Sequence, residues 1–469
     1  MMRLHANLCT HSSPQPFQRL YRLRYVMFLL QMLNAYKTAL YQSSSSSIAS
    51  LQLIKEREPV GDLVHLFFAC LFLFFTPINA VASSISFGLL LFYSLLRLHV
   101  TCRGLVQLLF HPIITLSIIF LAWSALSLLW SDGIENGLHH LRSMRIFLVP
   151  FMLWPIIPHW KWLMFSIVIG VLFLNVFQII EMLEMYEANG KIARTSGIIG
   201  GHPPSVGLWC AASLLILTFF FRALRSWHLL IAFIAFALAT VGLIASSGRG
   251  NFIGVLFSVL FYCFFNLSKI KQGKKYILHI IMIATVLFVI IWKTPAGTFL
   301  ESRINQAFHG LNSYVNNKDP RTSTGVRLAW WGSSMRAAQE NPVVGVGLGG
   351  FPQWTLTDEE LDFFSSKWPA FTQKTIIGAT HPHSMYMSTL SEGGLIGSAL
   401  LFSLIATSLI CCWKVKSAVS SGGVICTLLM LWLIAGFFDS FQYSSQTLCL
   451  FSITITVAIY ISCLVKSPN

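Results

Sequence analysis

Residues 113–130 read IITLSIIFLAWSALSLLW, an apolar run with no charge, no proline and no glycine. A helix rising about 1.5 Å per residue covers most of a hydrocarbon core about 30 Å thick with such a run. Lipid gives the backbone no hydrogen-bond partner, so a segment of this kind must satisfy itself as a helix. Working outward from this span, at 111–130, comparable runs recur at 63–78, 79–98, 143–158, 161–181, 204–221, 228–246, 251–267, 276–292, 384–412, 423–439 and 446–464. The fold expected is all-α, a polytopic membrane protein with about twelve transmembrane helices.

Composition points the same way. Hydrophobic residues make up 55% of the 469-residue chain and charged residues 10%, and mean hydropathy is +0.68. That is more apolar than a soluble core requires. The net charge of +15 does not point to nucleic acid, because the basic residues follow the connections between spans rather than filling one groove. An even number of spans puts both termini on one side. Taking that side as the cytoplasm, its connections hold Arg97, Arg103, Lys161, Arg222, Arg225, Lys269, Lys271, Lys274, Lys275, Lys414, Lys416 and Lys466. Of the 17 acidic residues, Glu56, Glu58 and Asp62 alone fall there, as the positive-inside rule requires. The cysteines lie mostly in or beside apolar runs and form no CxxC pair, so neither a disulfide framework nor a zinc site is expected.

Four regions result. Residues 1–62 form a basic tail suited to an anionic lipid surface. Residues 63–292 hold nine spans, 293–383 form a large outer loop, and 384–469 hold three more spans with a short tail. A connection of this length suggests a folded unit with a task. Within it, Thr324 is placed to cap a helix from Gly325 to Glu340, which Asn341 and Pro342 stop. Arg327 and Trp331, four apart, share a face of that helix. The glycine-rich 344–351 then turns the chain back. The acidic group Asp358, Glu359, Glu360 and Asp362 reads as a solvated face, and Arg303, Arg321 and Arg336 as solvated loop charges.

Outer connections also carry Arg142, Arg145, Arg194 and Arg249. Each can be an interfacial arginine reaching for headgroups. The alternative is phosphate, which a guanidinium fork matches in shape and charge. Arg249 stands between Gly248 and Gly250 in a tight turn, where backbone can approach an anion closely. His381 and His383 flank Pro382 where the loop re-enters the membrane. Histidine titrates near neutrality and can take a proton from a hydroxyl. Two histidines at this spacing without a cysteine or acidic companion make a poor metal site. With no Walker loop, GxGxxG or DxD motif, the donor is expected to arrive already activated, with no cofactor.

The segments Ser246-Ser247-Gly248-Arg249-Gly250, Thr324-Gly325-Val326-Arg327 through Trp331, Asn341-Pro342 with Gly345-Val346-Gly347, and His381-Pro382-His383 occur in this order. Together they resemble the O-antigen ligase and polymerase superfamily of bacterial envelope glycosyltransferases. The resemblance implies a metal-independent, inverting enzyme of the bacterial inner membrane. Such an enzyme moves a glycan from undecaprenyl pyrophosphate to an acceptor hydroxyl at the periplasmic face, lipid A-core for a ligase. It implies His383 as the catalytic base and Arg249 and Arg327 as pyrophosphate ligands; His381, Arg194, Arg142 and Arg145 are further substrate-binding candidates from residue type and position. Ser384 departs from the asparagine common after this histidine. A polymerase, a protein O-oligosaccharyltransferase and a lipid-linked glycan transporter are the alternatives; the transporter is disfavoured because Glu181, Glu392 and Asp439 lie toward span ends.

Overall fold

The computed structural model describes residues 58–189, 195, 202–220, 227–246, 248–266, 295–354, 357–368, 379–418 and 422–466. Among these the regular structure is helical, with no strand. Four stretches are long and apolar enough to cross a membrane: Pro112–Trp130, Ile134–Ala188, Met385–Val415 and Ser445–Cys463. Shorter apolar helices stand beside them at Pro59–Phe75, Ala80–Leu96, Pro203–Thr218, Leu230–Ser246, Arg249–Tyr262 and Gly422–Ala435. The set fits a polytopic membrane protein. The expected span at 276–292 and most of the tail, 1–57, lie outside the described residues.

In chain order the helices are α1 (Pro59–Phe75), α2 (Ala80–Leu96), α3 (Leu98–Leu109), α4 (Pro112–Leu126), α5 (Ile134–Ser143), α6 (Trp160–Asn189), α7 (Pro203–Phe220), α8 (Trp227–Ser246), α9 (Arg249–Asn266), α10 (Pro295–Asn317), α11 (Gly325–Glu340), α12 (Asp358–Lys367), α13 (Met385–Ala418), α14 (Gly422–Ala435) and α15 (Ser445–Lys466). Helix α15 is the axis of the bundle: 89% of its apolar window is buried, against 33% for α4. Thr454, Thr456 and Ser462 in it return their hydroxyls to their own helix, as Thr454 Oγ1 does to Leu450 O at 2.6 Å. Small residues satisfied in this way let neighbouring helices approach closely.

Several expectations change. The span at 143–158 is not one helix: 3₁₀ turns at Met144–Leu148 and Trp154–His159 flank a short α turn at Val149–Leu153. Pro150, Pro155 and Pro158 remove successive ladder donors, and the stretch is tolerated because it is buried inside the bundle rather than facing lipid. Residues 98–109, read as a connection, form the amphipathic helix α3. Helix α1 starts at Pro59, so Glu58 and Asp62 leave the tail and join the bundle. There Arg97 is buried and bonded to Asp62 at 2.9 Å and Glu58 at 3.3 Å.

Helix α13 is broken at Gly394, whose φ of 63° is left-handed. A break strands backbone groups that must find partners elsewhere. The glycine-rich loop after α11 supplies them. Val346 N donates to Ser391 O at 2.9 Å and Gly347 N to Glu392 O at 3.0 Å. In return Leu395 N donates to Pro342 O at 2.9 Å and Ile396 N to Val343 O at 3.2 Å. On its other side the loop meets the turn after α4, with Leu348 N donating to Ser127 Oγ at 3.1 Å and Ser131 Oγ to Leu348 O at 2.8 Å. Gly345, Gly347 and Gly349 all have positive φ, and a Cβ on Gly347 would lie 2.6 Å from Ser127 O. The expected turn at 344–351 is therefore a wedge between α4 and α13.

This wedge generates a test. Gly394→Ala places a Cβ against the Val343 carbonyl in a left-handed backbone and should cost roughly 1–3 kcal/mol. The measurement is the thermal unfolding midpoint in detergent; a midpoint equal to wild type would contradict the wedge as a stability determinant.

Candidate active site

Helix α11 begins as expected at Gly325, but Thr324 is not its side-chain cap. Thr322 Oγ1 accepts from Gly325 N at 2.9 Å instead. The Thr324 hydroxyl is turned outward, where it accepts from Arg249 Nη1 at 2.9 Å. The outer loop is thus tied to the first residue of α9. Asn251 Nδ2 donates to Pro204 O at 2.8 Å, which fixes the same helix end to the start of α7. A Cβ on Gly250 would lie 2.7 Å from Phe438 Cβ, so this glycine serves close packing as well as backbone access.

Around this helix end lies a small cleft, open to solvent, whose lining includes Gly248, Arg249, Arg303, Ser323, Arg327, Phe438 and Asp439. The N-terminal turn of α9 contributes Gly250 and Asn251 to its wall. Three guanidiniums around the positive end of this helix give the cleft a field that favours an anion. Burial pushes the pKa of Arg327 down, opposed by the nearby Asp439 carboxylate and aided by Arg303. Arg303 and Arg327 therefore stand as like charges in one cleft. The expectation of Arg303 as a solvated charge is corrected.

The histidine pair meets this cleft through Asp439. His383 Nδ1 lies 3.2 Å from Asp439 Oδ1, His381 Nε2 4.0 Å from the same oxygen, and His202 Nδ1 3.8 Å from Oδ2. His383 has a φ of 52°, rare outside glycine. The conformation is held from several sides: the Trp330 ring stacks on His383 at 4.9 Å, and Trp331 Nε1 donates to Pro382 O at 3.2 Å. The shared face read for Arg327 and Trp331 thus does two things, one residue lining the cleft and the other tethering the His-Pro-His turn.

Burial raises the Asp439 carboxyl, but the hydrogen bond with His383 and the imidazoles of His383, His202 and His381 outweigh it and hold it below the ordinary carboxylate range. Burial first, then His383, lowers His381 to about 4, against the pull of Asp439. His381 therefore meets any anion as a neutral N–H donor at physiological pH. With Nδ1 of His383 committed to Asp439, Nε2 is the nitrogen left to face an acceptor, the arrangement in which a carboxylate orients a base.

His381, His383 and Asp439 also form a group with metal-ligand chemistry, one atom from each lying within 4.8 Å of the others. The histidines thus have the acidic companion that their spacing alone did not reveal. The three arginines beside them oppose a dication and favour an anion.

Other expected residues fall elsewhere. Arg142 is exposed on α5, and Arg145 Nη2 donates to Ser84 Oγ at 2.8 Å with its guanidinium over Phe87, so it faces α2. Arg194 lies outside the described residues. Ser384 is buried directly before α13, and Met387 N approaches its Oγ at 3.5 Å, a long capping contact. Serine and asparagine are both good N-caps, so the departure at this position keeps the local role. Arg336 pairs with Glu360 at 2.7 Å, and Glu360 also closes a capping box with Thr357 on α12, so neither is a free surface charge.

Asp439 and His202 were missed by sequence reading. Asp439 had a signal, being the single acidic residue after Glu392, yet it read as the end of a span. In the structure α14 stops at Ala435 and Asp439 lies in the following turn. His202 had only Pro203 and Pro204 after it to mark a helix start.

Residues 234–402 match a family model described as O-Antigen ligase. The matched segment includes Arg249, Arg303, Arg327, His381 and His383; Asp439 and His202 lie beyond it. Over 195 residues the chain is 28% identical to a protein of Haemophilus influenzae (strain ATCC 51907 / DSM 11121 / KW20 / Rd) described as uncharacterized. That match covers 42% of this chain and 46% of the relative, so the chain spans less than half the relative's length.

The Asp439 pKa sets a pH test. A carboxyl lowered in the folded state stabilises the fold above its unfolded pKa, near the ordinary 3.8, and loses that contribution as pH falls through the lower folded value. Asp439→Asn should therefore flatten the decline of thermal midpoint from about pH 5 down to about pH 2 in detergent. A slope unchanged from wild type would contradict an ionised Asp439.

Proposed function

We propose that this chain, carrying an O-antigen ligase domain at 234–402, is a membrane glycosyltransferase that moves a glycan from undecaprenyl pyrophosphate to an acceptor hydroxyl. The acceptor on this reading is lipid A-core at the periplasmic face of a bacterial inner membrane, and the chain crosses that membrane about twelve times. The observation that carries the reading is the junction of the Asp439–His383 pair with a cleft lined by Arg249 and Arg327. A base and an anion site side by side suit transfer from a donor whose leaving group is a pyrophosphate.

The steps follow from the geometry. His383 Nε2 takes the proton of the acceptor hydroxyl while Asp439, on Nδ1, stabilises the imidazolium that forms. The acceptor oxygen attacks the anomeric carbon, and the bond from that carbon to the pyrophosphate oxygen breaks. Arg249 and Arg327 receive the charge that develops on the leaving undecaprenyl pyrophosphate, at the positive end of α9. Attack opposite the leaving group inverts the anomeric centre. No step requires a metal, so transfer should persist in chelator.

For the purified protein in lipid, His383→Ala should lower transfer about 10²- to 10⁴-fold with the protein still folded. Arg249→Lys should weaken it as well, since an ammonium keeps charge but lacks the fork that now also engages Thr324. Wild-type rates in His383→Ala, or activity lost in chelator and restored by metal, would overturn the mechanism. Deletion in the host should leave lipid-linked polymer unattached to lipid A-core; surface glycan carrying single repeats would identify a polymerase instead.

A further inference from the structure

We propose that Arg303 is a third phosphate ligand of the cleft, and that it confers a preference for a lipid diphosphate over a lipid monophosphate. This deepens the reading above and rests on it.

Arg303 reaches the cleft through the register of α10. Gly310 lies seven residues, two helical turns, after Arg303 and so on the same face. At Gly310 the backbone approaches the turn before α11 so closely that a Cβ would lie 3.0 Å from Thr322 Cβ and 3.1 Å from Thr324 Cβ. Thr324 is the residue that holds Arg249. The contact that seats α10 against the loop therefore also brings Arg303 to the wall shared with Arg249 and Arg327.

The state of its guanidinium points to a ligand. Nη1 donates to Gln306 Oε1 at 2.9 Å, a neutral partner on the same helix. Nε is buried with no hydrogen-bond partner among the described residues. Asp439, the carboxylate in the cleft wall, is already engaged by His383 at 3.2 Å. Three guanidiniums line the cleft with this one carboxylate, and burial lowers the pKa of Arg303. A buried donor without a partner is costly, and a phosphate oxygen would relieve both that cost and the like-charge repulsion.

The count of charges indicates which anion. Two guanidinium forks suit one phosphate; a second phosphate adds charge and acceptor oxygens that need a further donor. Arg303 is that donor, and removing it should weaken the diphosphate selectively.

The test uses full-length protein in detergent with two probes of equal chain length, farnesyl diphosphate and farnesyl monophosphate, and measures Kd for each. Wild type should favour the diphosphate by roughly tenfold to a hundredfold. Arg303→Ala should remove most of that preference, chiefly by weakening the diphosphate, while monophosphate affinity stays within about twofold. Arg303→Lys should restore part of it. If the alanine variant unfolds, Arg303→Gln, closer in size, takes its place in the comparison. A preference that survives in a folded Arg303 variant overturns this assignment alone. Wild type binding neither lipid would overturn the parent reading together with it.

Discussion

The functional architecture depends on a backbone exchange at the break in α13. A helix that opens at Gly394 inside an apolar bundle has to find partners for the carbonyls and amides it releases. It finds them in the loop Asn341–Gly350, through reciprocal bonds at Ser391, Glu392, Leu395 and Ile396. Because the same loop is held by Ser127 and Ser131 on its other side, the outer unit is fastened to two spans at once. Each glycine in the wedge stands where a Cβ would meet backbone, so the sequence there is set by space rather than by propensity.

That fastening positions the chemistry. Once the end of α11 is fixed, Trp330 and Trp331 hold the His-Pro-His turn, and the turn holds His383 in a left-handed conformation it would not keep alone. The start of α11 carries Thr324, which orients Arg249 from across the bundle. One helix therefore connects the His-Pro-His turn with the arginine-lined cleft. Such coupling suits a reaction in which a hydroxyl must be deprotonated as a pyrophosphate departs, since both groups must be placed within a fraction of an ångström.

Electrostatically the site is divided. On one side Asp439 gathers three imidazoles and stays ionised despite its burial. On the other, three arginines line the same cleft at the start of α9. Asp439 belongs to both sides: it also lines the cleft and opposes the fall in the pKa of Arg327.

What the sequence determined by itself is what depends on neighbours along the chain. Apolar runs such as 113–130 commit the backbone to helix because lipid offers no alternative partner. The helix Gly325–Glu340 was legible from its stop at Asn341 and Pro342, since a proline cannot continue a helix. Arg249, Arg327 and His383 were visible because motif order and residue type mark them. The tertiary structure alone decided which of them meet. Arg145 turns to α2 while Arg303, unremarkable in sequence, joins the cleft, because helix register against Gly310 and Thr324 sets where a long side chain reaches. Asp439 becomes the partner of His383 across 56 positions, since a charge interacts through space, and distance along a chain says nothing about distance across a bundle.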